Sequence, residues 1–292
     1  MKDYIALTKP SVTWLILMST GVGYFFGLKS APTWWQFLAA INYWSLLNTV
    51  LGTGLIASGT AALNQWFERE ADQKMRRTSR RPLPAGRLSA GRALAFGIAL
   101  SIAGFIELWL GVNLLTASIG AFTLASYLFI YTPLKSRTWW STTVGALPGA
   151  MPPVIGYAAA AGTLTADSWV LFAILFFWQF PHFYSIAWMY RDDYARAGIR
   201  MLPVVEPDCR STARQIVAFG LALIPVSLVP SLLGMTGRIY LAGALLLGLW
   251  FLYSGVRVAI ERTALRARNV LLTSVFYLPL IYGLMLIDRP GL

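Results

Sequence analysis

Residues 37–82 read FLAAINYWSLLNTVLGTGLIASGTAALNQWFEREADQKMRRTSRRP. The first 27 of them, to Leu63, carry no charge, and the remainder is dense in acids and then in arginines. A run of about 20 apolar residues crosses a hydrocarbon core about 30 Å thick, so residues 37–63 predict a membrane helix long enough to tilt or to project beyond the bilayer. The charged residues beyond Leu63 mark the point where that helix meets water. Asn64, Glu68 and Asp72 recur at four-residue steps, which on a continuous helix places them on one face about 6 Å apart along the axis. Their oxygens suit a hard cation. Mg²⁺ is held by one or two carboxylates together with substrate phosphates, and Arg77, Arg80 and Arg81 can neutralise the phosphate oxygens the metal leaves uncovered. The stretch therefore predicts a metal-diphosphate site at a membrane edge.

The same pattern extends along the chain. Of its 292 residues 57% are hydrophobic and 12% charged, against roughly 25% charged in soluble domains, and the mean hydropathy is +0.60. This composition excludes a soluble globular protein. Apolar runs lie at 11–28, 37–63, 91–110, 112–131, 141–161, 167–189, 215–235, 238–257 and 269–287, which predicts nine membrane helices in one all-α domain over 1–292. With nine crossings, 21 of the 24 Lys and Arg residues fall on one side, and only Lys29, Arg238 and Arg289 on the other. By the positive-inside rule the N-terminus is expected in the cytoplasm and the C-terminus outside. Much of the net charge of +12 is thereby topological. Met1–Pro10 has neither a signal-peptide pattern nor an Arg- and Ser-rich transit pattern, so a bacterial inner membrane is expected. A single cysteine, Cys209, leaves no intramolecular disulfide, and there is no Cys/His cluster for zinc.

The long, charged connections, 64–90 and 190–214, come after the second and sixth runs, four helices apart. This spacing predicts two related four-helix halves with a ninth helix added, around a cavity open to the charged edge. The second constellation is PHFYSIAWMYRDDYARAGIRMLPVV, Pro181 to Val205. Asp192 and Asp193 are adjacent, so on a helix they diverge by about 100° and only one can face a given site. Arg191 and Tyr194 flank them, and the alternative is a solvated helix end. Ala197-Gly198 followed by Met201-Leu202-Pro203 predicts a shaped stop and return. His182, the single histidine, sits inside the sixth run with Gln179 one turn before it. Polar residues within a membrane segment are functional candidates, here for a polar substrate group or a water, and a packed imidazole is the competing reading. The surrounding Phe, Trp and Tyr residues suit an isoprenoid tail and an allylic cation, or simple helix packing.

The fifth run, with Pro148, Pro152 and Pro153 among Gly145, Gly149 and Gly156, predicts a kinked helix that packs closely or shapes a cavity. Before it, Tyr131-Thr132-Pro133-Leu134-Lys135 closes the fourth run, where Lys135 can reach an anion or merely obey topology.

An acidic face beside arginines, an aromatic membrane cavity and no nucleotide-binding loop point to a lipid diphosphate. With these residues the chain resembles the UbiA superfamily of intramembrane prenyltransferases, whose first motif sets two acids after an Asn at four-residue steps, as Asn64, Glu68 and Asp72 do. LTKPSVTWLI, YTPLKSRTWWSTTVGALPGAMPPVIGYAAAAG and DDYARAGIRMLPVV are similar to its haem-farnesylating branch, and the likeness covers nearly the whole chain. The resemblance implies transfer of farnesyl from farnesyl diphosphate to a vinyl group of haem b, with haem as substrate and Mg²⁺ as cofactor. It implies metal binding by Asn64, Glu68 and Asp72, and a clamp of Arg77, Arg81 and Lys135 with further substrate contacts from Arg80, Tyr131, Gln179, Arg191, Asp192, Asp193 and Tyr194. His182 would orient the porphyrin, ligate its iron or position the water. Where many members carry spaced aspartates in the sixth helix, this chain has His182 with Asp192 and Asp193 later. One metal is therefore the safer expectation. Haem A synthase or oxidase assembly factors are implied as partners by the family alone, and no nucleic acid is expected. The rival readings are a prenyltransferase for an aromatic or quinone precursor and a transporter of haem or lipid.

Overall fold

The computed structural model describes residues 1–28 and 34–290, and among these every regular element is helical. Lys29, expected on the sparsely charged side, lies outside the described residues. The elements are α1 (Lys2–Leu7), α2 (Pro10–Gly27), α3 (Trp34–Ala40), α4 (Tyr43–Phe67), α5 (Arg69–Lys74), α6 (Ala90–Gly111) and α7 (Leu114–Ala125). A π-helical turn, Ser126–Tyr131, then leads into α8 (Thr132–Leu134), α9 (Ser141–Gly149), α10 (Pro152–Ala161), α11 (Ala166–Met189) and α12 (Arg191–Arg196). The chain ends with α13 (Leu202–Val205), α14 (Arg210–Leu232), α15 (Arg238–Glu261) and α16 (Ala264–Ile287).

Eight helical stretches among the described residues are long and apolar enough to cross a membrane: Tyr43–Phe67, Ala90–Gly111, Leu114–Leu134, Ser141–Ala161, Ala166–Met189, Arg210–Leu232, Arg238–Glu261 and Ala264–Ile287. They match the second to ninth expected runs. The first forms as α2, 18 residues without a charge but punctuated by Pro, Ser, Thr and Gly, and is not among the eight. The second run differs at its start. It is not one long helix from residue 37, because the Asn42 side chain accepts a hydrogen bond from the Ser45 N–H and starts α4 afresh. Ser89, Asn113 and Thr263 cap α6, α7 and α16 in the same way.

Packing divides the bundle into two sets. α2, α4, α6, α7 and α10 adjoin one another in one, and α11, α14, α15 and α16 in the other. The last helix is no appendage to two four-helix halves, since α16 packs on both α11 and α15. Small residues permit the tightest crossing. A Cβ at Gly23 would meet the Pro153 carbonyl, and one at Gly156 the Thr20 carbonyl, so α2 and α10 touch backbone to backbone. The two proline-rich halves of the fifth run break at Ala150 and Met151, the kink expected from Pro152 and Pro153. In the second set Trp178 Nε1 donates to the Ser274 carbonyl and Tyr277 shares a hydrogen bond with Ser227, both buried. Arg289, beyond α16, donates to the carbonyls of Phe25 and Leu28 and closes the ring of helices on the sparsely charged edge.

Candidate active site

At the opposite, charged edge α4 does not run unbroken through its acids. Glu68 has left the helical region (φ −91°, ψ 7°) and separates α4 from α5, although its N–H still donates to Asn64 and its carbonyl accepts from Asp72. The expected continuous face therefore bends at its middle member. Asn64 Nδ2 donates to Glu68 Oε2 at 2.8 Å, and Lys135 Nζ donates to Oε1 at 2.7 Å. Asp72 is fully buried, and Arg81 Nη1 reaches its two oxygens at 3.0 and 2.7 Å. Thr78 Oγ1 donates to the Asp72 carbonyl, tying the arginine-rich turn beneath the acid.

Lys135 arrives from a local irregularity. Pro133 has no N–H to donate back along the helix, and the turn before it widens to π-helical. This turn places Tyr131 with its ring centroid 4.4 Å from Lys135 Nζ and Tyr127 at 5.8 Å. Thr132 Oγ1 donates to Asn64 Oδ1, so the same segment orients the amide. Burial works against the Glu68 charge, but the Lys135 ammonium and its hydrogen bond, with Lys9 and the Asn64 amide, hold its carboxyl below the usual range. Burial likewise works against Lys135, and the Glu68 carboxylate with the two tyrosines more than reverses it, raising the ammonium well above its ordinary value.

The 190–200 segment closes the site. Asp193, buried, accepts from the Arg77 backbone N–H at 3.2 Å and pairs with Arg196, whose Nε reaches the Lys74 carbonyl. Arg77 lies over the rings of Tyr190 (4.8 Å) and Tyr194 (5.8 Å) and donates to the Tyr194 hydroxyl. Gly198, with φ +72°, turns the chain so that Arg200 N–H bonds the Lys135 carbonyl and Leu202 and Pro203 are buried, the stop and return read from the sequence. The structure thus brings together Asn64, Glu68, Asp72, Arg77, Arg81, Tyr131, Lys135, Asp193 and Tyr194.

Other expected residues stand apart. Asp192 points to solvent with a side chain 86% exposed, and its neighbour Arg191 bonds the Pro207 carbonyl. Arg80 is exposed and supplies only its carbonyl, to Arg87. Gln179 is buried and spends its amide on the Ala146 and Leu175 carbonyls, against Gly149, where a Cβ would collide with it. It fastens α11 to α9. His182 binds Ser274 Oγ through Nδ1 at 2.8 Å and stacks on Trp178 at 4.8 Å. On α11 it lies about 40° from Trp178, which faces α16, and about 60° from Gln179, which faces α9. It therefore points between α16 and α9, on the α16 side, and its Nε2 has no hydrogen-bond partner among the described residues. Eight residues, about 12 Å of helix, separate it from Tyr190 at the charged edge.

Sequence reasoning missed Lys9, Tyr127, Thr132 and Arg196, and read Tyr190 only as one of the sixth run's aromatic rings, not as a support for Arg77. Lys9 sits at the start of α2 with φ +47°, within electrostatic reach of Glu68, Asp72, Arg81 and Lys135. Burial, reinforced by Arg81 and Lys135, lowers its pKa to about 8. The one available signal was Pro10, which starts the helix just after the lysine.

Among the described residues no three His, Cys, Asp or Glu side chains gather as a metal cluster. Two carboxylates and one amide do follow one another along the bend from α4 to α5, with Asn64 bonded to Glu68. That donor set fits Mg²⁺ when phosphate oxygens complete the sphere, and Lys135 and Arg81 now occupy the carboxylate oxygens a cation would take.

The model of the UbiA prenyltransferase family matches residues 16–280. The chain is 80% identical over all of its length, and all of the relative's, to a protoheme IX farnesyltransferase of Solibacter usitatus (strain Ellin6076). It is 46% identical to one of Salinibacter ruber (strain DSM 13855 / M31), covering 98% of each chain. Among solved structures it superposes on a digeranylgeranylglyceryl phosphate synthase with TM-score 0.77 at 16% identity, covering 100% of this chain and 99% of the other. It also superposes on a UbiA homologue from Archaeoglobus fulgidus bound to DMAPP and Mg²⁺, with TM-score 0.66 at 15% identity, covering 98% and 99%. At such identities these two likenesses establish the fold.

Proposed function

The chain belongs to the UbiA prenyltransferase family, and from that premise we propose that it transfers a farnesyl group from farnesyl diphosphate to a vinyl group of haem b. Water adds in the same reaction, and haem O and diphosphate are the products. The observation that carries this reading is the full-length 80% identity to a protoheme IX farnesyltransferase, in a chain whose charged edge holds the groups a diphosphate requires.

Five cations, Lys9, Arg77, Arg81, Lys135 and Arg196, face three carboxylates, Glu68, Asp72 and Asp193. The surplus positive charge draws in an anion. Glu68 and Asp72, with Asn64 assisting, would hold Mg²⁺, which would offset the charge of the leaving diphosphate. Lys135 and Arg81 then turn from their carboxylates to phosphate oxygens, and Arg77 is braced for the same task by Tyr190 and Tyr194. Breaking the C–O bond leaves its electron pair on diphosphate, so these groups act by electrostatic stabilisation aimed where charge develops. Tyr127 and Tyr131, whose rings now lie beside the Lys135 ammonium, would favour the allylic cation once Lys135 turns to phosphate. The vinyl π electrons form the new C–C bond, and water takes the cation left on the haem side chain and releases a proton. His182, fixed through Nδ1 by Ser274, offers Nε2 to the haem. A His held by a hydrogen bond on one nitrogen and open on the other is the usual form of a metal ligand.

The protein is a multi-pass membrane protein. We place it in the bacterial inner membrane with α2 as a ninth span, the N-terminus and the site on the cytoplasmic side, and the C-terminus outside. The test is incubation of the purified, detergent-solubilised protein with haem b, farnesyl diphosphate and Mg²⁺, following porphyrin mass and diphosphate release with a chelator control. A Mg²⁺-dependent hydroxyfarnesyl mass gain is expected. Diphosphate release with an unmodified porphyrin would redirect the search to aromatic or quinone acceptors, and intact farnesyl diphosphate would favour transport.

A further inference from the structure

Far from the acid cluster, a groove of about 310 Å³ lies between α15 and α16, bounded by Trp250, Tyr253, Arg257, Arg266, Asn269 and Phe276. Its mouth is on the charged edge, where α15 ends at Glu261 and α16 begins at Ala264. Its outer walls face the surrounding lipid, for Tyr253 is 57%, Phe276 59% and Leu272 45% exposed.

The groove is polar at one end and apolar along its length. At the top, Glu261 accepts from Arg257 Nη2 at 2.5 Å and from Arg266 Nε at 2.6 Å, so two guanidiniums share one carboxylate and a positive charge is left over. Tyr253 Oη takes one further N–H of Arg257. Arg266 Nη1 and the Asn269 amide have no hydrogen-bond partner among the described residues. Below this cap, Trp250 lies seven residues from Arg257 and Phe276 ten from Arg266, about 10 and 15 Å deeper along their helices. A phosphate at the mouth would thus sit above an apolar wall long enough for several methylenes.

We infer that this groove binds one anionic phospholipid from the leaflet at the charged edge. Its phosphate lies on Arg257, Arg266 and Asn269, and an acyl chain lies along Trp250, Leu272 and Phe276. Basic pockets between membrane helices recognise anionic headgroups in this way. A zwitterionic lipid leaves the surplus charge unmatched, and a free phosphate leaves the apolar wall uncovered.

The test is native mass spectrometry of the full-length protein in detergent, titrated with phosphatidylglycerol or phosphatidylcholine and then challenged with millimolar inorganic phosphate. One phosphatidylglycerol is expected to be retained in preference to phosphatidylcholine and not to be displaced by phosphate. Arg257→Gln and Arg266→Gln should each weaken retention about fivefold. Glu261→Gln, which removes the competing carboxylate, should strengthen it, a gain that a merely damaged fold cannot produce. Equal retention of the two lipids, unchanged retention in the arginine variants, or weaker retention in Glu261→Gln would overturn the inference. Displacement by inorganic phosphate would likewise overturn it, in favour of a free-anion site.

Discussion

Two charged corners of this protein share one chemical vocabulary and use it differently. At the end of α4, Glu68 and Asp72 each take a cation from elsewhere in the chain, Lys135 being 67 residues away. At the turn between α15 and α16, Glu261 takes two arginines from within five residues of itself. The Lys135 and Glu68 side chains are 11% and 13% exposed, whereas those of Arg257 and Glu261 are both 36% exposed. Burial separates them. A pair removed from water strengthens its Coulomb attraction and penalises the loss of either partner, while a wet pair is screened and nearly dispensable to the fold. The first corner is built to hold charge in a fixed place for chemistry, and the second keeps its donors available at the lipid surface.

The sharpest way to break this contrast is Asp72→Asn. It keeps the shape and removes the buried charge, and turnover should fall by about 10²–10³-fold or more, with the variant eluting as a folded monodisperse species. Full activity would end the metal-diphosphate reading. Next, Lys135→Met leaves Glu68 without its cation in a half-dry site. It should cost about 3 kcal/mol of stability and lower Tm clearly, while Arg257→Gln leaves Tm unchanged; equal shifts would erase the distinction between the corners.

A smaller effect is expected at His182. His182→Ala should weaken haem b binding by about tenfold and alter its Soret spectrum, with farnesyl diphosphate affinity preserved. If instead both substrates bind normally, the imidazole serves only to pack α11 on α16. The smallest effect concerns Lys9, whose pKa of about 8 lies below that of an ordinary lysine. As pH rises through 8 the folded protein loses this proton before the unfolded chain does, so the group's contribution to stability increases from there up to the usual lysine value. The cation itself disappears over the same range. The kcat/KM for farnesyl diphosphate should fall with rising pH, within about tenfold, and Lys9→Met should flatten that limb of the profile.

The membrane class, the existence and order of eight helices and the sites of the charged connections were legible because each depends on residues close in sequence. Apolar length sets a span, and the Asn64, Glu68 and Asp72 spacing, the prolines at 152 and 153 and Gly198 act within a turn or two. The same local reasoning overran where a single side chain intervened, as when Asn42 restarted α4 or Glu68 broke the helix it was expected to continue.

What only the tertiary structure decided is which members of each local set face one another. Asp192 and Asp193 are adjacent and chemically equal, yet Asp193 alone turns inward, because Arg77, 116 residues earlier, offers it a backbone N–H. Lys9, Tyr127 and Thr132 enter the site through the start of α2, a π turn and the start of α8, none of them part of α4. The sequence by itself determined that acids and cations would gather at one membrane edge, since burying them in lipid is prohibitive. Their pairing waited on the fold, because a hydrogen bond of about 3 Å depends on how distant helices pack, and no local period encodes that.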